Sequence, residues 1–265
     1  MNGADELAPP RPGGLATTLN VDRVRRLVKP KRIAGLSDAG FFKYEHNHST
    51  ARWSGSANFS ADMQHLFGMV NASGALSAKC QAAQTAQASS AVPAVGGAEL
   101  PAPGPWNCLM PATAEQYVES PMFFLQSRFD HFQLGAELAL PCMVTQRYAP
   151  PWKHVNCTAT EVSGMREYGK DLRAELSLVF RAPAVHRGLY LSACIIHGQT
   201  NLNAWTKTKI KGVTPQQAWR IWYAGLAHLN VSGGKWEEEC ANELPCNPNS
   251  LSCAPYSTDT SSVSS

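Results

Sequence analysis

Two short apolar runs, separated by a long amphipathic stretch, constrain this chain more than any other feature. The first is Met122-Phe123-Phe124-Leu125-Gln126-Ser127, followed by Arg128-Phe129-Asp130; the second is Gly188-Leu189-Tyr190-Leu191-Ser192-Ala193-Cys194-Ile195-Ile196, followed by His197. Runs this short, and this rich in apolar and aromatic residues, predict strands of a parallel sheet buried on both faces. In open α/β sheets the ligand crevice lies beyond the carboxyl ends of the strands, where Asp130 and His197 both emerge. An acid and then a histidine, each after a strand, follow the order of the second half of a Ser…Asp…His hydrolase triad. The plainer alternative is a surface carboxylate and an unrelated loop histidine.

The flanking signals fit an α/β chain. Helical character runs from Gly13-Gly14-Leu15-Ala16 to about Val28, with Leu15, Leu19 and Leu27 as apolar positions, and Pro30 stops it. A strand is expected over Arg32–Ser37. A short helix follows with Met63, Leu66, Phe67 and Val70 on one face and Ser60 as its N-cap. Residues 79–105 are rich in Ala, Pro, Gly and Gln and read as a low-complexity surface insertion, closed by a Cys80–Cys108 bridge. Cys142 and Cys157 bracket a second loop and suit a local disulfide. Thr158-x-x-Glu161 is a capping box that opens a long helix with Val162, Met165, Leu172, Leu176 and Val179 as its apolar positions. Thr214-Pro215-Gln216-Gln217 is another, opening a helix that buries Ala218, Ile221 and Trp222. Residues 1–12 and the Ser/Thr-rich 257–265 are expected to be disordered, which leaves 13–256 as one domain.

Of 265 residues 44% are hydrophobic, enough for a sizeable core, and the net charge of +3 is too small to point to nucleic acid. The basic cluster Arg23, Arg25, Arg26, Lys29, Lys31 and Arg32 reads as a solvated helix end. The cysteines are Cys80, Cys108, Cys142, Cys157, Cys194, Cys240, Cys246 and Cys253, with no C-x-x-C pair among them. N-x-S/T sequons stand at Asn47, Asn58, Asn71, Asn156 and Asn230. Sequons together with an even cysteine count favour a secreted, disulfide-bonded glycoprotein. Met1–Gly14 nevertheless carries no apolar leader, and no run is long enough to span a membrane. His46-x-His48 flanks a sequon in a polar loop with no carboxylate cluster nearby in sequence, so neither a metal nor a cofactor is expected.

Several stretches, in order, resemble the pectin acetylesterase/Notum family of α/β-hydrolase-like carboxylesterases. They are Gly13-Gly14-Leu15-Ala16, Ser37-Asp38-Ala39-Gly40-Phe41-Phe42, Trp106-Asn107-Cys108, Phe129-Asp130-His131-Phe132-Gln133-Leu134, Ser192-Ala193-Cys194-Ile195-Ile196-His197, and Trp205-Thr206 before Lys211-Gly212. The resemblance covers most of 13–253. It implies an α/β-hydrolase-like, mostly parallel sheet with flanking helices. It also matches Asp130 and His197 to the family's catalytic acid and histidine. Leu109-Met110 stand where relatives often carry paired phenylalanines, which implies contact with the acyl group; Met adapts to several shapes, so the pair does not choose between acetyl and longer acyl chains. The expected substrate is an acylated polysaccharide, pectin in the cell wall, with an acylated signalling protein as the alternative.

The departure from the family lies at the nucleophile. Its serine sits in Gly-x-Ser-Ala-Gly-Gly; aligned on Gly13-Gly14, this chain has Arg11 in the serine position and Pro12 after it. Arginine is no nucleophile, and Pro12 has no N–H to give an oxyanion. Gly35-Leu36-Ser37-Asp38-Ala39 nearly fits a nucleophile elbow, but an elbow feeds directly into a helix, and here a polar loop follows. The expectation is therefore that the signal peptide, the N-terminal strands and the serine lie upstream of Met1; the alternative is a binding scaffold that has lost catalysis. A transcript read from RNA should continue upstream, in frame, through Gly-x-Ser-Ala ahead of Gly13. A transcript that starts at Met1 would sink that expectation.

Overall fold

Why the two apolar runs carry no polar face is plain from the sheet they build. The computed structural model describes residues 13–43, 59–90, 104–144, 157–180, 186–200, 203–226 and 234–238. The described strands are β1 Gly35–Asp38, β2 Met122–Ser127, β3 Arg187–Ser192 and β4 Lys235–Glu237, all parallel and hydrogen-bonded in sequence order. The helices are α1 Gly13–Val28, α2 Phe59–Met69, α3 Ala78–Ser90, α4 Pro111–Ala114, α5 Pro141–Val144, α6 Ala159–Val179, α7 Ala204–Lys207 and α8 Pro215–Gly225.

Side chains alternate along β2, and both alternations are buried. Met122 and Phe124 join Leu189 and Leu191 of β3 in a core with Met165, Tyr168, Leu172, Leu176 and Val179 of α6. Phe123 and Leu125 join Tyr190 in a second core with Ala218 and Trp222 of α8. Phe123 meets Trp222 and Trp219 at ring-centroid distances of 5.3 and 5.7 Å. Enclosing each such side chain is worth about 1.5–3 kcal/mol. Both capping boxes form: Thr158 with Glu161 starts α6, and Thr214 with Gln217, Pro215 at the first helical position, starts α8. The disulfides Cys80–Cys108 and Cys142–Cys157 are present.

Several details differ from the sequence expectations. The first strand is shifted, Gly35–Asp38 against Arg32–Ser37. Residues 78–90, all but the first inside the expected insertion 79–105, are helical, and Cys80 and Gln84, one turn apart, are buried. Alanine is a strong helix former but too small to show a hydrophobic period, which is why the segment reads as featureless. Ser60 falls inside the first turn of α2, not at its cap. Leu27 is 72% exposed and Ile221 55%, and Val70 also faces solvent. In α1 the buried stripe is Gly14, Thr18 and Val21, and in α8 it is Pro215, Ala218 and Trp222. Close backbone packing selects Gly14, and the two cores take in Val21, Ala218 and Trp222. β4, three residues of mixed polarity, had no recognisable pattern. The expected disordered ends, Arg11 and Pro12, His46 and His48, the sequons other than Asn71, and Cys240, Cys246 and Cys253 lie outside the described residues.

The stripe on α1 reaches an extreme at Gly14. A Cβ built there would stand 2.3 Å from the Asp38 carbonyl oxygen and 2.6 Å from the Gly40 nitrogen; one on Gly40 would stand 2.1 Å from the Gly14 carbonyl carbon. The first turn of α1 therefore lies backbone to backbone on the chain leaving β1. A Cβ on Gly13 meets nothing within 4 Å. Gly14→Ala or Gly40→Ala should lower stability by at least about 2 kcal/mol through overpacking, whereas Gly13→Ala should be neutral or stabilising by up to about 1 kcal/mol. Urea unfolding midpoints of the three variants check this; equal midpoints would show that the contact is not tight.

Candidate active site

Parallel strands end on the same edge of the sheet, so whatever follows β1, β2 and β3 is gathered there. After β2 the chain makes a turn over Arg128-Phe129 and enters a short helical segment at His131. Asp130 caps that segment: its Oδ1 accepts from the backbone N–H of Phe132 at 3.0 Å and of Gln133 at 3.1 Å. Capping by aspartate at such a start needs only a strand, one acid and a helical turn. Oδ2 accepts from Gln126 Nε2 at 3.1 Å. The carboxylate is fully buried, and a buried charge survives only with its lone pairs occupied in this way.

His197 arrives from β3. Its Nδ1 lies 2.9 Å from Asp130 Oδ1 and 3.0 Å from Oδ2, and its side chain is 9% exposed. Nδ1–H donates to the carboxylate, which leaves Nε2 as the acceptor. The Phe132 ring packs on the imidazole, centroids 5.1 Å apart. The structure thus brings together the two residues that the sequence singled out, 67 positions apart. Burial of the ring opposes the imidazolium. The attraction of Asp130, the hydrogen bond to it and the field of Asp38 outweigh that and raise His197 above 6.5. The neighbouring His131 goes the other way: burial lowers it, Asp130 resists, and the nearby His197 adds to the lowering. An imidazole oriented by a carboxylate that raises its basicity can take a proton from a hydroxyl and return it to a leaving group.

Two glutamines hold this frame: Gln126, which sequence reading gave no role, and Gln133, which it placed in a family-like stretch beside Asp130. Gln126 Oε1 accepts from Phe41 N–H at 3.2 Å while its amide reaches Asp130. Gln133 Oε1 accepts from Lys43 N–H at 3.0 Å and from the Tyr168 hydroxyl at 2.6 Å, and its Nε2 donates to Phe41 O at 3.2 Å. A glutamine inside an otherwise apolar strand is the signal that could have marked Gln126. Ser37 is structural: its hydroxyl donates to Gly14 O at 2.9 Å and is buried. Leu109 and Met110 are buried with Met63, Ala72 and Trp106 beside Leu15 and Leu19 of α1. Met110 is fully enclosed and fills that cluster. Cys194, just before the histidine, is disulfide-bonded. Asn71 is exposed, in a left-handed turn.

Comparison with known proteins gives a family match: the pectinacetylesterase model covers residues 10–250. Palmitoleoyl-protein carboxylesterase notum1a of Danio rerio is 23% identical over 255 residues, which is 91% of this chain and 44% of that protein. Two structures of the Wnt deacylase Notum from Drosophila, crystal forms II and I, superpose with TM-scores of 0.60 at 21% and 20% identity. Each covers 89% of this chain, and the match takes in 55% and 56% of the Notum chains. That likeness shows the fold, an α/β-hydrolase-like sheet with flanking helices, and the chain spans about half the length of these relatives.

Because the folded pKa of His197 is raised, the stability contributed by its pairing with Asp130 is fully present below pH 6.5 and is lost as pH rises through the folded value. Unfolding free energies across the neutral range should show this downward step, and Asp130→Asn should flatten it. An unchanged slope in the variant would mean that the two side chains are not coupled.

Proposed function

The chain belongs to the pectinacetylesterase family, and on that premise we propose that it carries the acid–base half of a secreted serine carboxylesterase that removes acetyl groups from pectin. One observation carries the reading: His197 Nδ1 in contact with both oxygens of a buried Asp130, at the carboxyl edge of adjacent parallel strands.

In this reading His197 Nε2 takes the proton of a serine hydroxyl as its oxygen attacks the acetyl carbonyl. The imidazolium then protonates the departing sugar hydroxyl, and an acetyl-serine remains. Water, deprotonated by the same nitrogen, attacks that ester; acetate leaves and the serine regains its proton. Asp130 sets the tautomer and steadies the imidazolium throughout. The serine belongs to the Gly-x-Ser-Ala turn ahead of α1. Arg11 occupies that position in the sequence as written, so the chain by itself is proposed to be inactive. Secretion is supported by the Cys80–Cys108 and Cys142–Cys157 disulfides and by the exposed sequon at Asn71. No helix among the described residues is long and apolar enough to cross a membrane.

A second reading, removal of a longer acyl chain from a lipidated signalling protein, is favoured by the names of the curated relative and the solved structures. A third, a non-catalytic binding scaffold, is favoured by Arg11. Assays on the polypeptide encoded by the complete transcript separate them. Acetate release from acetylated pectin, lowered on the order of 10⁴-fold by Ala at the serine, Asp130 or His197, is the expected result. Turnover of a palmitoleoylated peptide with no acetate release would establish the second reading, and absence of a serine the third. Unchanged turnover in His197→Ala would remove the triad assignment altogether.

A further inference from the structure

The loop after His197 ends on a carboxylate from two strands away. Gly198 turns the chain with φ of +74°, in the left-handed region that favours glycine. The next two N–H groups then converge on Asp38. Gln199 N–H lies 3.0 Å from Asp38 Oδ1 and 2.9 Å from Oδ2, and Thr200 N–H lies 2.8 Å from Oδ2. The Thr200 hydroxyl donates to Oδ2 at 2.7 Å. Bonds to a charged acceptor are about twice as strong as neutral ones. Asp38 itself has little freedom. It ends β1, Ala39 beyond it is held at φ of +51°, and its carbonyl oxygen lies against Gly14 in the first turn of α1.

We propose that Asp38 is a positioning residue for His197: its carboxylate fixes the turn after the histidine and so holds the imidazole in register with Asp130, and with the start of α1. This rests on the reading of His197 as the general base. The connection runs from α1 through the Gly14 contact to Asp38, across the end of β2 to Gln199 and Thr200, and back to His197. It ties the proton-accepting ring to the first turn of α1, which in the sequence directly follows the position where the family carries its nucleophile. Among the described residues, the charged and titratable groups facing the ring are Asp130 and His131 after β2 and Asp38 at the end of β1. The two carboxylates act in the same direction, toward the imidazolium.

The test is an NMR titration of the His197 ring in the intact chain and in Asp38→Asn, Thr200→Val and Asp130→Asn. Asp38→Asn keeps the size and an oxygen acceptor but removes the charge. Its expected result is a lower His197 titration midpoint, shifted less than in Asp130→Asn, together with broadening of the Nδ1 proton signal. Thr200→Val, at an exposed residue, removes one hydrogen bond and should move the ring signals the same way by less, which keeps the proposal testable if Asp38→Asn unfolds. If Asp38→Asn only speeds amide exchange at Gln199 and Thr200 and leaves the ring unmoved, Asp38 is a loop staple and the proposal fails. If Asp130→Asn also leaves the ring unmoved, the Asp130–His197 reading fails, whatever Asp38 does.

Discussion

A carboxylate buried without solvent is the constraint around which this structure is arranged. Asp130 has two backbone N–H groups, the Gln126 amide and the His197 imidazole around it. Loss of any donor leaves part of a charge unsatisfied in a medium that cannot screen it. The demand therefore fixes the turn after β2, the rotamer of a core glutamine and the approach of the loop after β3. The geometry that suits proton transfer is also the geometry that makes the buried charge tolerable.

That frame depends on the sheet. β2 and β3 are covered by α6 on one face and α8 on the other, so their residues can be apolar at every position and the strand ends stay in register. At the N-terminal end of α1 the contact is between backbones, through Gly14 and Gly40. Such an approach leaves no slack, so the start of α1, the end of β1 and the Asp38 carboxylate share one position. Polar ties complete the edge: Gln126 and Gln133 both bind Phe41, and Gln133 also binds Lys43 and Tyr168. The edge is thus held by hydrogen bonds whose directions are fixed, and not by apolar packing alone.

The opposed shifts of the two neighbouring histidines follow from the same arrangement. His131 and His197 are both largely enclosed, and His197 has its Nδ1 on the carboxylate. For His197 the attraction of Asp130 and the hydrogen bond to it outweigh desolvation and raise the ring; for His131 desolvation outweighs the attraction of Asp130 and lowers it.

By itself the sequence determined the α/β class, both capping boxes, two disulfides, and the pair Asp130 and His197 as residues leaving adjacent strands. Those features are local: a run of apolar residues, a Thr with a Glu or Gln three residues on, a cysteine pair around a loop. What only the tertiary structure decided was which helix faces are buried, that the Ala-rich 78–90 is a helix, that Lys235–Glu237 is a strand, and that Gln126 and Gln133 brace the chain around Asp130 while Asp38 binds the loop after His197. On α1 the pattern pointed to Leu15, Leu19 and Leu27: Leu15 and Leu19 pack half-buried on the cluster of Met63 and Trp106, Leu27 is exposed, and Gly14, Thr18 and Val21 form the fully buried stripe, with Gly14 required by the backbone contact with Gly40. Leu109 and Met110 were singled out as acyl contacts by resemblance, and the fold places them in an apolar cluster beside α1. Burial stripes and hydrogen-bond partners depend on segments far apart in the chain, and no local window contains both members of such a pair.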